Sequence, residues 1–227
     1  MKKIISIMML MIISLSVYAN DIYINQSGAT LDLDVLQDGQ NNTIGSSSTA
    51  SSVIGATTNL SITQIGDSNV MTFDVNGATY TGTFSVTGNS NNIDFNCDSQ
   101  GTNSSCGTAT ASIVWVGSSN DIDIDIGETS SATGATVSIT GASGSDSNVV
   151  LGTIDGNSAI LTLSINGDTN NFLVDIDGNG DSVGHTYIHT HTGSIADVDI
   201  TQSGIYDNLI NLTTSGDNHD IDITQTD

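Results

Sequence analysis

Two basic residues against 25 acidic ones give this 227-residue chain a formal charge of −23 at pH 7. Nucleic acids, nucleotides and anionic lipids are bound through Lys and Arg, so those partners are excluded and cations are the expected ones. Hydrophobic residues make up 37% of the chain, with 24 glycines and no proline. The apolar residues alternate with polar ones, which marks a buried strand face and not a disordered chain, and a proline-free, glycine-rich composition suits strand ladders joined by tight turns.

The chain begins with Lys2 and Lys3, an apolar run from Ile4 to Val17, and Val17-Tyr18-Ala19 with small side chains where a signal peptidase reads. The run is shorter than the roughly 20 residues a membrane-spanning helix needs. Residues 1–19 are therefore expected to be a secretory signal, cleaved after Ala19, so that the protein is exported and not inserted in a membrane. The mature domain, residues 20–227, keeps all 25 acidic residues and has no Lys or Arg.

Beyond the signal, alternating strand, glycine turn and alternating strand recur in one frame. Ile62–Phe73 aligns without a gap to Phe84–Phe95, Ile113–Ile124 and Leu163–Val174. The glycines of this frame are expected at 66, 88, 117, 141, 167, 193 and 216, in steps of 22 to 29 residues. Asn76-Gly77, Asp155-Gly156 and Asp177-Gly178 are the dipeptides of tight reversals, so each coil is predicted to hold two strands and two turns. Gly45 to Thr58 is Ser- and Thr-rich and reads as a loop or as a weak strand around Ser52-Val53-Ile54. Parity divides each strand: Ile22, Ile24 and Gln26 share a face, and Leu31, Leu33 and Val35 point away from Asp32 and Asp34. A single coil cannot bury its apolar side, whereas stacked coils can. The predicted fold is an all-β solenoid.

Three segments carry Gln-x-Gly-x-x-Asn or a close variant: Gln37–Asn42, Gln64–Asn69 and Gln202–Asn208. They resemble the curlin repeat of curli-type functional amyloid. The resemblance implies strand–turn–strand repeats with stacked polar ladders, here at Gln26, Gly28, Gln37, Gly39, Asn42, Gln64, Gly66, Asn69, Gly88, Asn91, Gly117, Asn120, Gly167, Asn170, Gln202, Gly204, Gly216 and Gln225. It implies a homo-oligomeric extracellular fibre of biofilm and surface adhesion, an outer-membrane secretion pore and a related nucleator subunit as partners; major subunit and minor nucleator are both open. Val86, Trp115, Ile165 and Thr214 replace the glutamine elsewhere, and Leu31, Ala196 and His219 replace the asparagine, which makes the core more apolar than the family's. Fibre formation also has a rationale of its own. The two ends of a solenoid, here Asp21–Gln26 and His219–Gln225, are rows of unpaired strand edge, and head-to-tail stacking does not close.

Four groups of residues invite a chemical reading. Cys97 and Cys106 lie in the longest coil of an exported chain and are expected to pair, pinning the loop Asp98–Ser105. Asp175, Asp177, Asn179 and Asp181 resemble the opening of a calcium loop, but position twelve is Thr186 and not Glu, so a plain glycine turn is the preferred reading. His185, His189 and His191 fall close together; His189 and His191 share a strand face that could present a divalent metal, yet His191 falls at the glutamine ladder position, and ladder residues are the preferred reading. Stacked acidic rows repel unless protons or divalent cations screen them, so assembly is expected to quicken in acid or with calcium. With no Ser–His motif, phosphate loop or arginine, no enzyme is expected and no cofactor beyond that calcium. The alternatives to a main fibre subunit are a monomeric or fibre-tip adhesin displaying a face that includes Thr79–Thr83, and a passive ice- or surface-binding solenoid.

Overall fold

A computed structural model describes residues 21–46, 48–97, 106–127, 134–177, 184–204 and 208–226. The segment read as a signal, residues 1–19, lies outside them. The described chain holds β1 (Asp21–Ile22), β2 (Asn25–Asp38), β3 (Thr43–Ile44), β4 (Ser51–Ile65), β5 (Val70–Thr87), β6 (Asn92–Cys97), β7 (Cys106–Val116) and β8 (Asp121–Ile126). It continues with β9 (Gly134–Gly141), β10 (Val149–Asp155), β11 (Ile160–Asn166), β12 (Asn171–Asp177), β13 (Thr186–Thr192), β14 (Asp197–Ser203), β15 (Leu209–Ser215) and β16 (Asp220–Thr226). The 16 strands stack in parallel as a β-solenoid of about seven turns.

Each coil contributes one strand to a back sheet, which leaves the main turn, and one to a front sheet, which enters the next main turn. The back sheet runs β6-β8-β10-β12-β14-β16 and the front sheet β7-β9-β11-β13-β15, joined through β5. β2, β4 and β5 are long enough to serve both sheets as one bent strand. Parallel registers put like residues over like, so alternation within a strand becomes columns across the stack. In β12 the odd-numbered positions are exposed and Phe172, Val174 and Ile176 buried. One inward column of the back sheet reads Met71, Ile93, Ile122, Val150, Phe172, Val198 and Ile221. Two sheets facing each other across such columns form a continuous apolar core, in which each fully buried Ile, Val or Phe contributes roughly 1.5–3 kcal/mol. Within this core Tyr80 stacks on Phe95, ring centroids 4.9 Å apart, with Phe84 5.7 Å from Phe95.

The repeat frame needs three corrections. Gly141 is not a main-turn glycine: it lies in β9 opposite Trp115, and a Cβ there would meet the indole at 2.7 Å. Ser145 takes the turn instead, so successive main turns are separated by 27, 22, 29, 28, 22, 26 and 23 residues. Asn76-Gly77 is not a reversal but lies inside β5. Gly28 is likewise inside β2 and heads a glycine column with Gly55 and Gly77, where a Cβ on Gly77 would fall 2.1 Å from the Gly55 carbonyl oxygen. These glycines let the first long strands bend between sheets without a turn. Ser52-Val53-Ile54 is a strand, part of β4.

Candidate functional site

The main turn is the most regular feature of the molecule. Its four positions are occupied by Gly88-Asn89-Ser90-Asn91 and by their equivalents in every coil. The third position is left-handed throughout, with φ of 62° at Ser68, 58° at Ser90, 59° at Thr169 and 60° at Ile195. Such values are uncommon outside glycine and asparagine, and they aim the fourth residue's side chain along the stack. The fourth residues form a buried ladder: the backbone N–H groups of Asn42, Asn69, Asn91, Asn120 and Asn148 donate to Oδ1 of Asn69, Asn91, Asn120, Asn148 and Asn170 at 2.8–3.0 Å. The second residues form an exposed ladder of opposite polarity. Here the N–H of Asn89, Ser118, Asp168 and Ser194 donates to the preceding coil's Asp67, Asn89, Asp146 and Asp168, at 2.5–2.6 Å. The resemblance implied the asparagine column; the outer ladder and the left-handed third position carry no hydrophobic signal and were missed.

Glutamine occurs in two columns. Gln64 Nε2 donates to Gln37 Oε1 at 2.9 Å on the front sheet, and Gln225 Nε2 donates to Gln202 Oε1 at 3.3 Å on the back sheet. Gln26 shares the column of Gln202 and Gln225, half a coil out of phase with Gln37 and Gln64, and so Gly204 stands at the edge opposite the main turn. A short second capping ladder lies on that edge: the Ala159 N–H donates to His185 Nδ1 at 3.0 Å, and the His185 N–H to Asn208 Oδ1 at 3.0 Å.

His185, His189 and His191 are buried to 0% exposure. His191 sits in the front-sheet glutamine column, as its parity implied, and its Nε2 donates to the Gly167 carbonyl at 2.8 Å. His189 contacts the Tyr187 hydroxyl at 3.0 Å through Nδ1 and packs edge-on to Phe172, ring centroids 4.6 Å apart. Burial, and then the neighbouring His191, push the His189 imidazole down to about 3. Burial likewise lowers His191, opposed by its hydrogen bond to Gly167. Among the described residues no group of three or more His, Cys, Asp or Glu is arranged to hold a metal. Of the calcium-loop residues, Asp175 and Asp177 end β12 on its outer side, while Asn179 and Asp181 lie outside the described residues. Cys97 is buried at the end of β6 and disulfide-bonded; Cys106 opens β7, and its side chain and the loop 98–105 lie outside the described residues.

No family profile, curated protein or solved structure matches this chain.

The two outer faces differ in charge. The back face carries Asp94 beside Asp123, Asp197 beside Asp220 and Asp199 beside Asp222 in register, with Asp74, Asp121, Asp125 and Asp175 on the same side. Burial raises the carboxyl of Asp94 above the usual range, and Asp125, Asp74 and Asp121 add to the rise. Burial raises Asp125 too, partly offset by a hydrogen bond from Thr153, and it raises Asp175 with help from Asp177. Among the described residues the front face has no charged residue from β4 to β15. Its rows read Thr81, Thr110, Thr136, Ile160, Thr186, Leu209 and Thr83, Ser112, Ser138, Thr162, Ile188, Asn211. The Thr79–Thr83 patch singled out in the sequence is one strand of this surface, with Thr79, Thr81 and Thr83 outward and Tyr80 in the core.

Proposed function

We propose that the chain is the self-stacking structural subunit of an exported, curli-like extracellular fibre that serves adhesion and matrix building. One observation carries the reading. At one end of the back sheet Ile22 and Gln26 point inward in the columns that end, at the other, in Ile221 and Gln225; Ile24, between them, is the counterpart of Ile223. β1 and β2 at one end, and β15 and β16 at the other, have a strand neighbour on one side only among the described residues. Ile221 and Ile223 are 38% and 48% exposed, apolar area that a further coil would cover. The first coil of one copy set on β16 of another continues each column in kind, Ile over Ile and Gln over Gln, and repeats the Gln225–Gln202 hydrogen bond across the joint. Such a joint is head-to-tail and leaves a fresh end each time, so it propagates.

The resemblance supports the same reading and adds a secretion pore and a nucleator as proposed partners. The test is electron microscopy and fibre diffraction on residues 20–227 at neutral and acidic pH, with and without calcium. Filaments with a meridional spacing near ~4.8 Å, lost in Ile221→Asp/Ile223→Asp, are expected. Monodisperse monomers under every condition would move the reading to a monomeric adhesin presenting the Thr and Ser face, or to a subunit that stacks only on its nucleator.

A further inference from the structure

We infer that the uncharged front face is a docking surface for a second copy of this chain, so that two solenoids pair back to back through their front sheets. The first argument is charge. The chain carries 25 acidic residues against two basic ones, so two copies repel wherever their acidic surfaces meet, and at the back face aspartates already stack on aspartates. The front face from β4 to β15 is the broad surface on which two copies can approach without bringing carboxylates together.

The second argument is shape and area. Strands about 4.8 Å apart over about seven coils, with outward residues about 6.7 Å apart along each strand, make a surface of about 800 Å². That matches the share of one partner in a standard stable interface, about 800 Å². The third is composition. The face is mainly Thr and Ser, with Val114, Val116, Ile160, Ile188 and Leu209 from 36% to 54% exposed among them. β-branched side chains projecting from flat parallel strands interdigitate when sheets face each other at about 10 Å. Threonine hydroxyls satisfy one another across such an interface or along a row, and no buried charge is created.

Pairing of this kind is isologous: both copies contribute the same surface and the contact closes at two. End-to-end stacking is heterologous and open. The two contacts use different surfaces and are read by different quantities, sedimentation and filament thickness for the face, filament length for the ends, so either stands without the other.

The test is sedimentation equilibrium of residues 20–227 over a range of concentrations, with electron microscopy of any filaments. The parent chain is expected to reach a dimer, and its filaments to be two solenoids thick. Thr83→Asp/Ser138→Asp places charges in the middle of the face on alternate coils and is expected to weaken pairing on the order of tenfold or more. The neutral pair Val114→Ser/Ile188→Ser is expected to weaken it less. Asn171→Asp/Thr224→Asp adds the same charge to the back face and should leave pairing intact; retained β circular dichroism certifies folding in each. A parent that stays monomeric with filaments one solenoid thick overturns the inference, as do front-face charges without effect or back-face charges with an equal one. Thermal hysteresis from such a monomer would reassign the face to an ordered ice surface.

Discussion

The main turn carries two ladders that do opposite things within a few ångströms of each other. At the junction between the turns 66–69 and 88–91, the Asn69 N–H donates forward to Asn91 Oδ1 at 2.8 Å inside the core, and the Asn89 N–H donates backward to Asp67 Oδ1 at 2.6 Å on the surface. The bonds are of similar length and join the same coils. What differs is the alternative open to each donor when its acceptor is removed: water reaches Asn89, and nothing reaches Asn69. The inner ladder therefore fixes register, and the outer one trims a turn that would hold without it.

The largest break removes the turn that both ladders share. Gly88 has φ of 133°, and a Cβ there would lie 2.0 Å from the Gly66 carbonyl oxygen. Gly88→Val must push the two coils apart and is expected to cost more than about 3 kcal/mol, read as a lowered denaturation midpoint and slowed filament growth; parental values for both would refute the stacking of this turn. Asn91→Ala tests the inner ladder alone. It leaves the Asn69 N–H buried without its acceptor, a loss of about 2 kcal/mol, and fast amide exchange at Asn69 should report it. An unchanged exchange rate there would mean the ladder is decorative.

How much of this was legible in the sequence follows the same division between local and stacked information. Strand parity is local, and it correctly separated Leu31, Leu33 and Val35, packed against the core, from the exposed Asp32 and Asp34. The asparagine column was legible because its spacing from the turn glycine is fixed within each repeat. Gly141 misled because a glycine can serve a turn or make room for a neighbour; here it makes room for the Trp115 ring from the coil before, a contact 26 residues distant. Asn76-Gly77 misled because the dipeptide permits a reversal without requiring one. The uncharged front face escaped notice for the same reason, since Thr83, Ser112 and Ser138 become neighbours only once the register of unequal coils is known.

Acid sharpens the contrast between a buried and an exposed column. His189 titrates near 3 in the fold, well below the ordinary value of about 6.5. As pH falls from about 6.5 towards 3, the unfolded chain takes up a proton that the folded one refuses, and stability is lost across that window. Asp94, Asp125 and Asp175 act in the other direction. Their carboxyls are raised, so the folded chain protonates first and gains stability as pH falls through the raised values towards the usual carboxylate range. His189→Gln, which keeps a partner for the Tyr187 hydroxyl, should therefore gain about 2 kcal/mol on the parent between pH 7 and pH 5 in urea denaturation. Parallel pH profiles for the two proteins would show that this imidazole is not held neutral by burial.

The smallest expected effect completes the comparison. Asp67→Ala removes the outer acceptor at the same junction where Asn91→Ala removes the inner one, so the two share coils, turn and strand pairing. The Asn89 N–H it strands is exposed and can turn to water, which returns most of what the bond contributed; about 0.5 kcal/mol is expected to be lost. Removing the carboxylate also relieves repulsion in a chain as acidic as this, which offsets part of the loss and should make the variant less sensitive to salt than the parent. Equal destabilisation by Asp67→Ala and Asn91→Ala would mean that the turn is sealed from water on both sides. The exposed ladder would then fix the stacking of coils as firmly as the buried one.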